Sequence, residues 1–345
     1  DSVELEDFTC HPKGFLEFIK VAFVSAVIAV ILFFWVSFIS VILWIYALST
    51  FIMEQMMLKE YVDFLFPKAK GTNIIGKLKP QEESKQVIMF SAHHDSAYEF
   101  PLFDKFKEKF SILAYGTAGL MVLSAISSLV KFILDLLGLS TWLSTLLLLL
   151  IPVIALILGG YVAFNLHSNE VILGANDNLS GVAVVLALAE HFSQQRPKNV
   201  EIWFISFSCE ECMRGSKRFV EQHGKELEDS KTINFDMVAC GDPSIISKEP
   251  EFTATHSMEL AREFHEASKN ADLELPIVVQ KFGGSDAANF SKAGLRAISI
   301  LGLTPKAFPD MWHVLEDKPE NLNEELLEKI FQISKRYVED LDSQF

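Results

Sequence analysis

Positive charge is scarce in this chain: 30 Lys and Arg stand against 45 Asp and Glu, a formal net charge of −15. So acidic a surface repels phosphate backbones and argues against nucleic acid as a partner. Cysteine is scarcer still, with Cys10, Cys209, Cys212 and Cys240 the whole complement. Cys209 and Cys212 form a C-x-x-C, but no second pair exists to complete a four-cysteine zinc site. Glu210 and Glu211 lie between them, and carboxylates so placed raise a thiol pKa, which argues against a redox dithiol. The two cysteines therefore read as small apolar residues beside a site.

Charge, Gly and Pro are all missing from residues 21–53. A bilayer core takes about 20 helical residues, so the run is expected to be one long transmembrane helix extending beyond the hydrocarbon. It is about twice the apolar length of a signal peptide. Two further apolar runs, 112–130 and 142–165, are separated by Lys131, Asp135 and Gly138. Residues 111–165 are therefore expected to form a transmembrane hairpin, giving about three spans. On this reading 1–20 is an N-terminal segment, 21–53 crosses, and 54–110 and 166–345 lie together on the far side as one domain. Lys59, Lys68, Lys70, Lys105, Lys107 and Lys109 flank the spans on that side, against Lys13, Lys20 and Lys131 opposite. The positive-inside rule then places the domain in the cytoplasm, on an integral membrane protein.

Outside the spans, strands alternate with helices. "SKQVIMFSAHHD", "NVEIWFISFS", "TINFDMVAC" and "LRAISILGL" read as strands, and "SGVAVVLALAEHF" as a buried helix. Leu326, Ile330, Ile333, Tyr337 and Leu341 make one apolar helix stripe. The expected fold is α/β: a mixed, mostly parallel sheet with helices on both faces. Ligand sites in such sheets gather at the carboxyl ends of the strands. His93 and Asp95, Glu210 and Glu211, and Asp236 stand at or near such ends. Asp177 precedes a helix, and His313 sits on a later loop. Each alone is weak; together, two imidazoles and several carboxylates suit Zn²⁺ or a similar divalent ion. The donors suffice for two ions sharing one carboxylate.

With those residues in place, the chain resembles the family of di-zinc aminopeptidases that also includes glutamate carboxypeptidase and the glutaminyl cyclases, metallopeptidase family twenty-eight. The matching stretches are "SAHHDS", "GANDNLSGVAVVLALAE", "SCEECMRGS", "INFDMV", "FGGSDAANFSKAG" and "HVLEDKPENLN", in the family's order. The resemblance implies a zinc exopeptidase-like fold and two Zn²⁺ per chain, with Co²⁺ or Mn²⁺ as substitutes. It implies His93 and Asp236 on one ion, Glu211 and His313 on the other, and Asp177 between them. Asp95 would fix the His93 ring, and Glu210 would be the general base. If both glutamates are to reach one site the chain must bend there, because successive strand residues point to opposite faces. The family often has His after the Asp of "GGSD"; here Ala287 follows Asp286, which leaves this loop's role toward substrate open.

The expected activity is that of a membrane-bound aminopeptidase acting on peptides, with carboxypeptidase or dipeptidase action as alternatives. Asp95 lies 14 residues from Lys109 and Asp177 lies 12 from Asn165. Tethers so short point to apolar, membrane-associated peptides as substrates, although the spans could equally be a plain anchor. A glutaminyl cyclase-like transferase would use one zinc, and a non-catalytic membrane scaffold none. A transporter would carry charges within its spans. Asn178-Leu-Ser180 and Asn289-Phe-Ser291 match the glycosylation pattern, but a glycan there would obstruct the site motifs.

Overall fold

The structure is a computed structural model that describes residues 1–345 apart from 270 and 272. It divides into two compact units. One joins His11–Pro67 with Phe100–Asn169; the other joins Asp1–Cys10, Lys68–Glu99 and Glu170–Phe345.

The first unit is helical: α1 (Pro12–Leu32), α2 (Ser37–Phe51), α3 (Pro101–Phe106), α4 (Phe110–Leu136) and α5 (Trp142–Asn165). Four helical stretches, Pro12–Leu32, Ser37–Met56, Pro101–Leu136 and Trp142–Asn165, are long and apolar enough to cross a membrane. Several of their buried positions are small. Ala26 and Ala29 of α1 and Ala155 of α5 pack around Trp44 of α2, and small residues let apolar helices approach closely. Hydroxyls bridge the helices: Ser25 Oγ donates to Leu43 O at 2.8 Å, and the Ser40 and Ser128 hydroxyls meet at 3.0 Å.

The expectation of a single helix over 21–53 does not hold. Helix α1 ends at Leu32, Val36 swings to φ −142°, and α2 starts at Ser37. The Ser37 hydroxyl donates to Asp135 at 2.7 Å, and Lys131 pairs with the same carboxylate. The break needs neither Gly nor Pro. Residues 12–51 exceed the length of one span and make two helices, each long enough to cross a bilayer with the residues that continue it.

The second unit is a nine-stranded sheet: β1 (Ser2–Cys10), β2 (Ala69–Leu78), β3 (Gln86–His93), β4 (Val200–Phe207), β5 (Lys231–Asp236), β6 (Asp242–Glu249), β7 (Ala254–Thr255), β8 (Ile277–Val279) and β9 (Arg296–Leu303). The order is β1-β2-β4-β3-β5-β9-β6-β7, with β8 also on β6. The central strands β4, β3, β5 and β9 are parallel, and antiparallel pairings lie outside them. Helices α6 (Gly181–Gln194), α8 (Met258–Lys269) and α10 (Glu324–Asp342) cover one face through Leu188, Phe264 and Tyr337 against Phe90, Phe235 and Ile300. Helices α7 (Gly215–His223) and α9 (Ala287–Lys292) cover the other through Phe219 and Phe290 against Met89, Trp203 and Phe207. The sheet is mixed and has helices on both faces, as the alternation of segments implies.

The N-terminal segment also differs from expectation. Within 1–20, residues Ser2–Cys10 are an edge strand of this sheet, so they are not an appendage across a membrane from it. Cys10 pairs with Ala69. Likewise Tyr98 bridges Val171, and Glu99 N–H donates to Glu170 O at 2.9 Å. The chain therefore leaves the sheet at two places and returns to each at a paired residue.

Candidate metal centre

Each site residue is held by the local fold. Strand β3 ends at the buried His93, whose Nδ1 lies 3.2 Å from Asp95 O and 3.6 Å from Asp95 Oδ1. The Asp95 carboxylate also accepts the N–H groups of Glu210 at 3.1 Å and Glu211 at 3.3 Å. One aspartate thus orients an imidazole and fixes the turn after β4. That turn contains the bend the paired glutamates require: Cys209 and Met213 take left-handed φ of 58° and 56° on either side of a single 3₁₀ turn.

Asp177 lies in the segment before α6. The N–H groups of Asn176 and Asp177 donate to Asp317 at 2.5 and 3.0 Å. The Asn178 side chain ties this segment to the end of β5. Its Nδ2 donates to Phe235 O at 2.8 Å, and its Oδ1 accepts Met237 N–H at 3.2 Å. Asp236 ends β5, and β9 closes on the turn behind it at Gly302, where a Cβ would fall 1.9 Å from Cys240 O and 2.5 Å from Met237 O. His313 takes a left-handed φ of 52° on the loop after β9.

These elements converge. Asp177 Oδ1 is 3.1 Å from His93 Nε2, and its other oxygen is 3.3 Å from His313 Nε2. His313 Nε2 is 3.0 Å from Glu211 Oε2. Asp236 Oδ1 and Glu210 Oε2 each lie 3.8 Å from His93 Nε2. All seven residues nominated from the sequence come to one place at the carboxyl ends of parallel strands.

Burial raises the carboxyl pKa of Glu211 to about 7 and of Asp236 to about 6. It lifts Glu210 well above the carboxylate range, reinforced by Asp286, Asp236 and Glu211. Burial disfavours charge on the imidazoles, yet the carboxylates outweigh it and raise His93 well above its usual range and His313 to about 9. So many buried acids need compensating positive charge. Apart from the imidazole–carboxylate approaches above, His93 Nε2, Asp177 Oδ2, Glu211 Oε1 and Asp236 Oδ1 are buried and have no hydrogen-bond partner among the described residues. Orphaned donors of this kind, nitrogen and oxygen together, fit a divalent metal. His93, Asp177 and Glu211 form one candidate ligand group, and His93, Glu210 and Asp236 another.

Two residues of the centre carried little sequence signal. Asp317 is fully buried and fixes the Asp177 segment; only its place in "HVLEDKPENLN" marked it. Asp286 is fully buried, and burial lifts its carboxyl to about 7, opposed by His93 and the Ser216 hydroxyl. The two glycosylation patterns lie on buried side chains: Asn178 is held as described, and Asn289 Nδ2 donates to Ser216 Oγ at 2.9 Å.

The model of peptidase family M28 matches residues 159–338. No curated protein matches the chain. Among solved structures, a Zn-dependent exopeptidase from Parabacteroides distasonis aligns with a TM-score of 0.53 at 16% identity, covering 80% of each chain. A zinc aminopeptidase from Bacillus subtilis aligns at 0.51 and 20% identity, over 79% of this chain and 50% of its own. A glutaminyl cyclase from Porphyromonas gingivalis aligns at 0.50 and 15% identity, over 80% of this chain and 79% of its own. The chain thus spans about half the length of the Bacillus protein. At these identities the likeness is one of fold.

Proposed function

The chain belongs to peptidase family M28, and from that premise we propose that it is a membrane-bound di-zinc exopeptidase that acts as an aminopeptidase. The observation that carries this reading is Asp177, whose two oxygens face two different imidazoles, His93 and His313. Asp236 would complete the His93 side and Glu211 the His313 side. When bound, the ions would acidify a water molecule and polarise the scissile carbonyl. Glu210 would take the proton of the attacking water and return it to the leaving amine. Its burial suits a group that must both accept and donate a proton near neutral pH. Asp95 would keep His93 and the Glu210–Glu211 backbone in register.

The test is the difference in bound zinc between the wild-type chain and a His93→Ala, His313→Ala double variant. A difference of about two ions per chain supports the peptidase, because a two-ion centre needs both imidazole sides. A difference of one points to the single-zinc transferase reading, and none to a scaffold.

The membrane reading rests on the four apolar helices and on their outward faces, where Ile28, Ile31, Ile42, Ile126, Leu150 and Ile157 are exposed. The paired bases of the two excursions support an even number of crossings in each, hence two hairpins. Lys13 and Lys20 then join Lys59, Lys68, Lys70, Lys105, Lys107 and Lys109 on the side of the sheet, leaving Lys131 opposite. That balance favours a cytoplasmic catalytic unit. The short tethers support apolar, membrane-partitioning peptides as substrates. Single-cysteine labelling in sealed vesicles, in a chain without its own cysteines, should mark positions 70 and 228 from one side and the hairpin turns at 35 and 139 from the other. Label at 35 and 70 from the same side would refute the first hairpin.

A further inference from the structure

Sequence alone leaves Cys209 and Cys212 as a C-x-x-C without partners. The fold brings a third thiol to them. Cys10, 199 residues away at the end of β1, has its Sγ 3.3 Å from Cys209 Sγ. The sulfurs of Cys10, Cys209 and Cys212 all lie within 4.8 Å of one another, as close a group as the carboxylate and imidazole sets. All three cysteines are unbridged. Cys10 and Cys212 are almost fully buried, while Cys209 is half-buried.

We propose that Cys10, Cys209 and Cys212 form a second metal site, separate from the catalytic centre, that takes a thiophilic closed-shell ion, Zn²⁺ or Cu⁺. Three observations point this way. First, a metal–sulfur bond of about 2.3 Å sets sulfurs about 3.8–4.0 Å apart in tetrahedral or trigonal geometry, and the group spans that separation. Second, Cys209 and Cys212 sit at either end of the tight turn with left-handed flanks, which turns both thiols to Cys10. Third, among the described residues the thiols' other hydrogen-bond contacts are long or weak: Cys10 Sγ to Ala69 O at 3.9 Å, Ser208 Oγ to Cys209 Sγ at 3.7 Å and Cys212 Sγ to Cys209 O at 3.3 Å. A disulfide would use two of the three and leave the last stranded. Three soft sulfurs select zinc or cuprous copper over magnesium, calcium or manganese. No fourth His, Cys, Asp or Glu joins the group among the described residues, so a trigonal ion or one completed by water fits it.

The site would tie the end of β1 to the turn that carries Glu210 and Glu211. Its loss would loosen that turn without removing any ligand of the catalytic centre.

The experiment uses the full chain in detergent, stripped of metal under reducing conditions and titrated with Co²⁺. Thiolate ligation gives near-ultraviolet sulfur-to-cobalt charge transfer, which imidazole and carboxylate ligands do not. The wild-type chain should show that absorption, and Cys10→Ser should lose it while keeping the weaker visible bands of the catalytic centre. Zn²⁺ content and retention of Cu⁺ against a cuprous chelator then separate the two ions, and either one supports the site. Should Cys10→Ser fail to fold, alkylation of the native wild-type chain gives the answer: ion-loaded protein should protect all three thiols and stripped protein should expose Cys209. Absence of charge transfer with equal alkylation in both forms overturns the proposal. So does recovery of Cys10 and Cys209 as a disulfide from protein kept reduced.

Discussion

Glu210→Gln is expected to keep the catalytic ions and to lower peptide hydrolysis by about 10²–10⁴-fold or more, the range of a lost general acid–base group. Glutamine keeps the shape of the side chain and its place in the turn, since Asp95 holds this turn by the backbone N–H groups of residues 210 and 211. It removes the proton acceptor. It also removes one negative charge from a pocket where Asp236, Glu211 and Asp286 already repel it, so the fold has no reason to suffer. Glu210 Oε2 is 3.8 Å from His93 Nε2, whereas Glu211 Oε2 is 3.0 Å from His313 Nε2. On the proposed assignment Glu211 is a ligand on the His313 side and Glu210 is not, so Glu211→Gln should lower metal content where Glu210→Gln does not. Kinetics on a peptide substrate and elemental analysis of the same preparation read both effects. Near-normal kcat/KM would remove Glu210 as the base. An ion lost from Glu210→Gln would make it a ligand instead.

Asp177→Asn should be more severe in metal content than any other single change. Asparagine retains one oxygen and replaces the other with an amide nitrogen that cannot ligate. The charge that offsets two cations goes with it. Both sides of the centre meet at this residue, so zinc bound by the catalytic centre should fall by about two ions and hydrolysis should fall to background. The backbone around it is held independently by Asp317 and Asn178, so the metal-free variant should still fold, with thermal unfolding below that of metal-free wild type because Asp177 also faces two buried imidazoles. Retention of a full complement of ions in Asp177→Asn would end the shared-carboxylate reading.

The metal-centre candidates were legible because they sit where a parallel sheet must put a site. His93, Glu210, Glu211 and Asp236 follow runs of Val, Ile and Phe that can only be buried strands, and the strand-end rule then collects them. Asp177 and His313 needed the motif order as well. What stayed hidden depends on partners far away in sequence. In β1, Val3 and Leu5 alternate with Glu4 and Glu6 only briefly, and they are 74% and 68% exposed, so this short rhythm marks no buried face and only pairing with β2 defines the strand. Cys10 is silent for the same reason: nothing near it says that it will meet Cys209. The break at 33–36 was hidden differently. Its flanks are uniformly apolar and contain no helix breaker, and the only hint was length.

The paired exits from the sheet have a consequence for the order in which the molecule can be made. Among the described strands, β1 is made before the others and has no partner in this sheet until β2 follows the whole of α1 and α2. After that, β2 must wait for β4 on its other edge, and β3 waits for both β4 and β5; all of these emerge only after α4 and α5. The β1–β2 pair is therefore the one ladder of the sheet that can form before both helical hairpins have been synthesised. Until then its free edge is an invitation to wrong pairing, and the charged residues Glu4, Glu6, Asp7, Lys70 and Lys77 along these two strands are the kind that discourage it. Synthesis from the N-terminus thus settles the apolar helices before the site-bearing sheet can close.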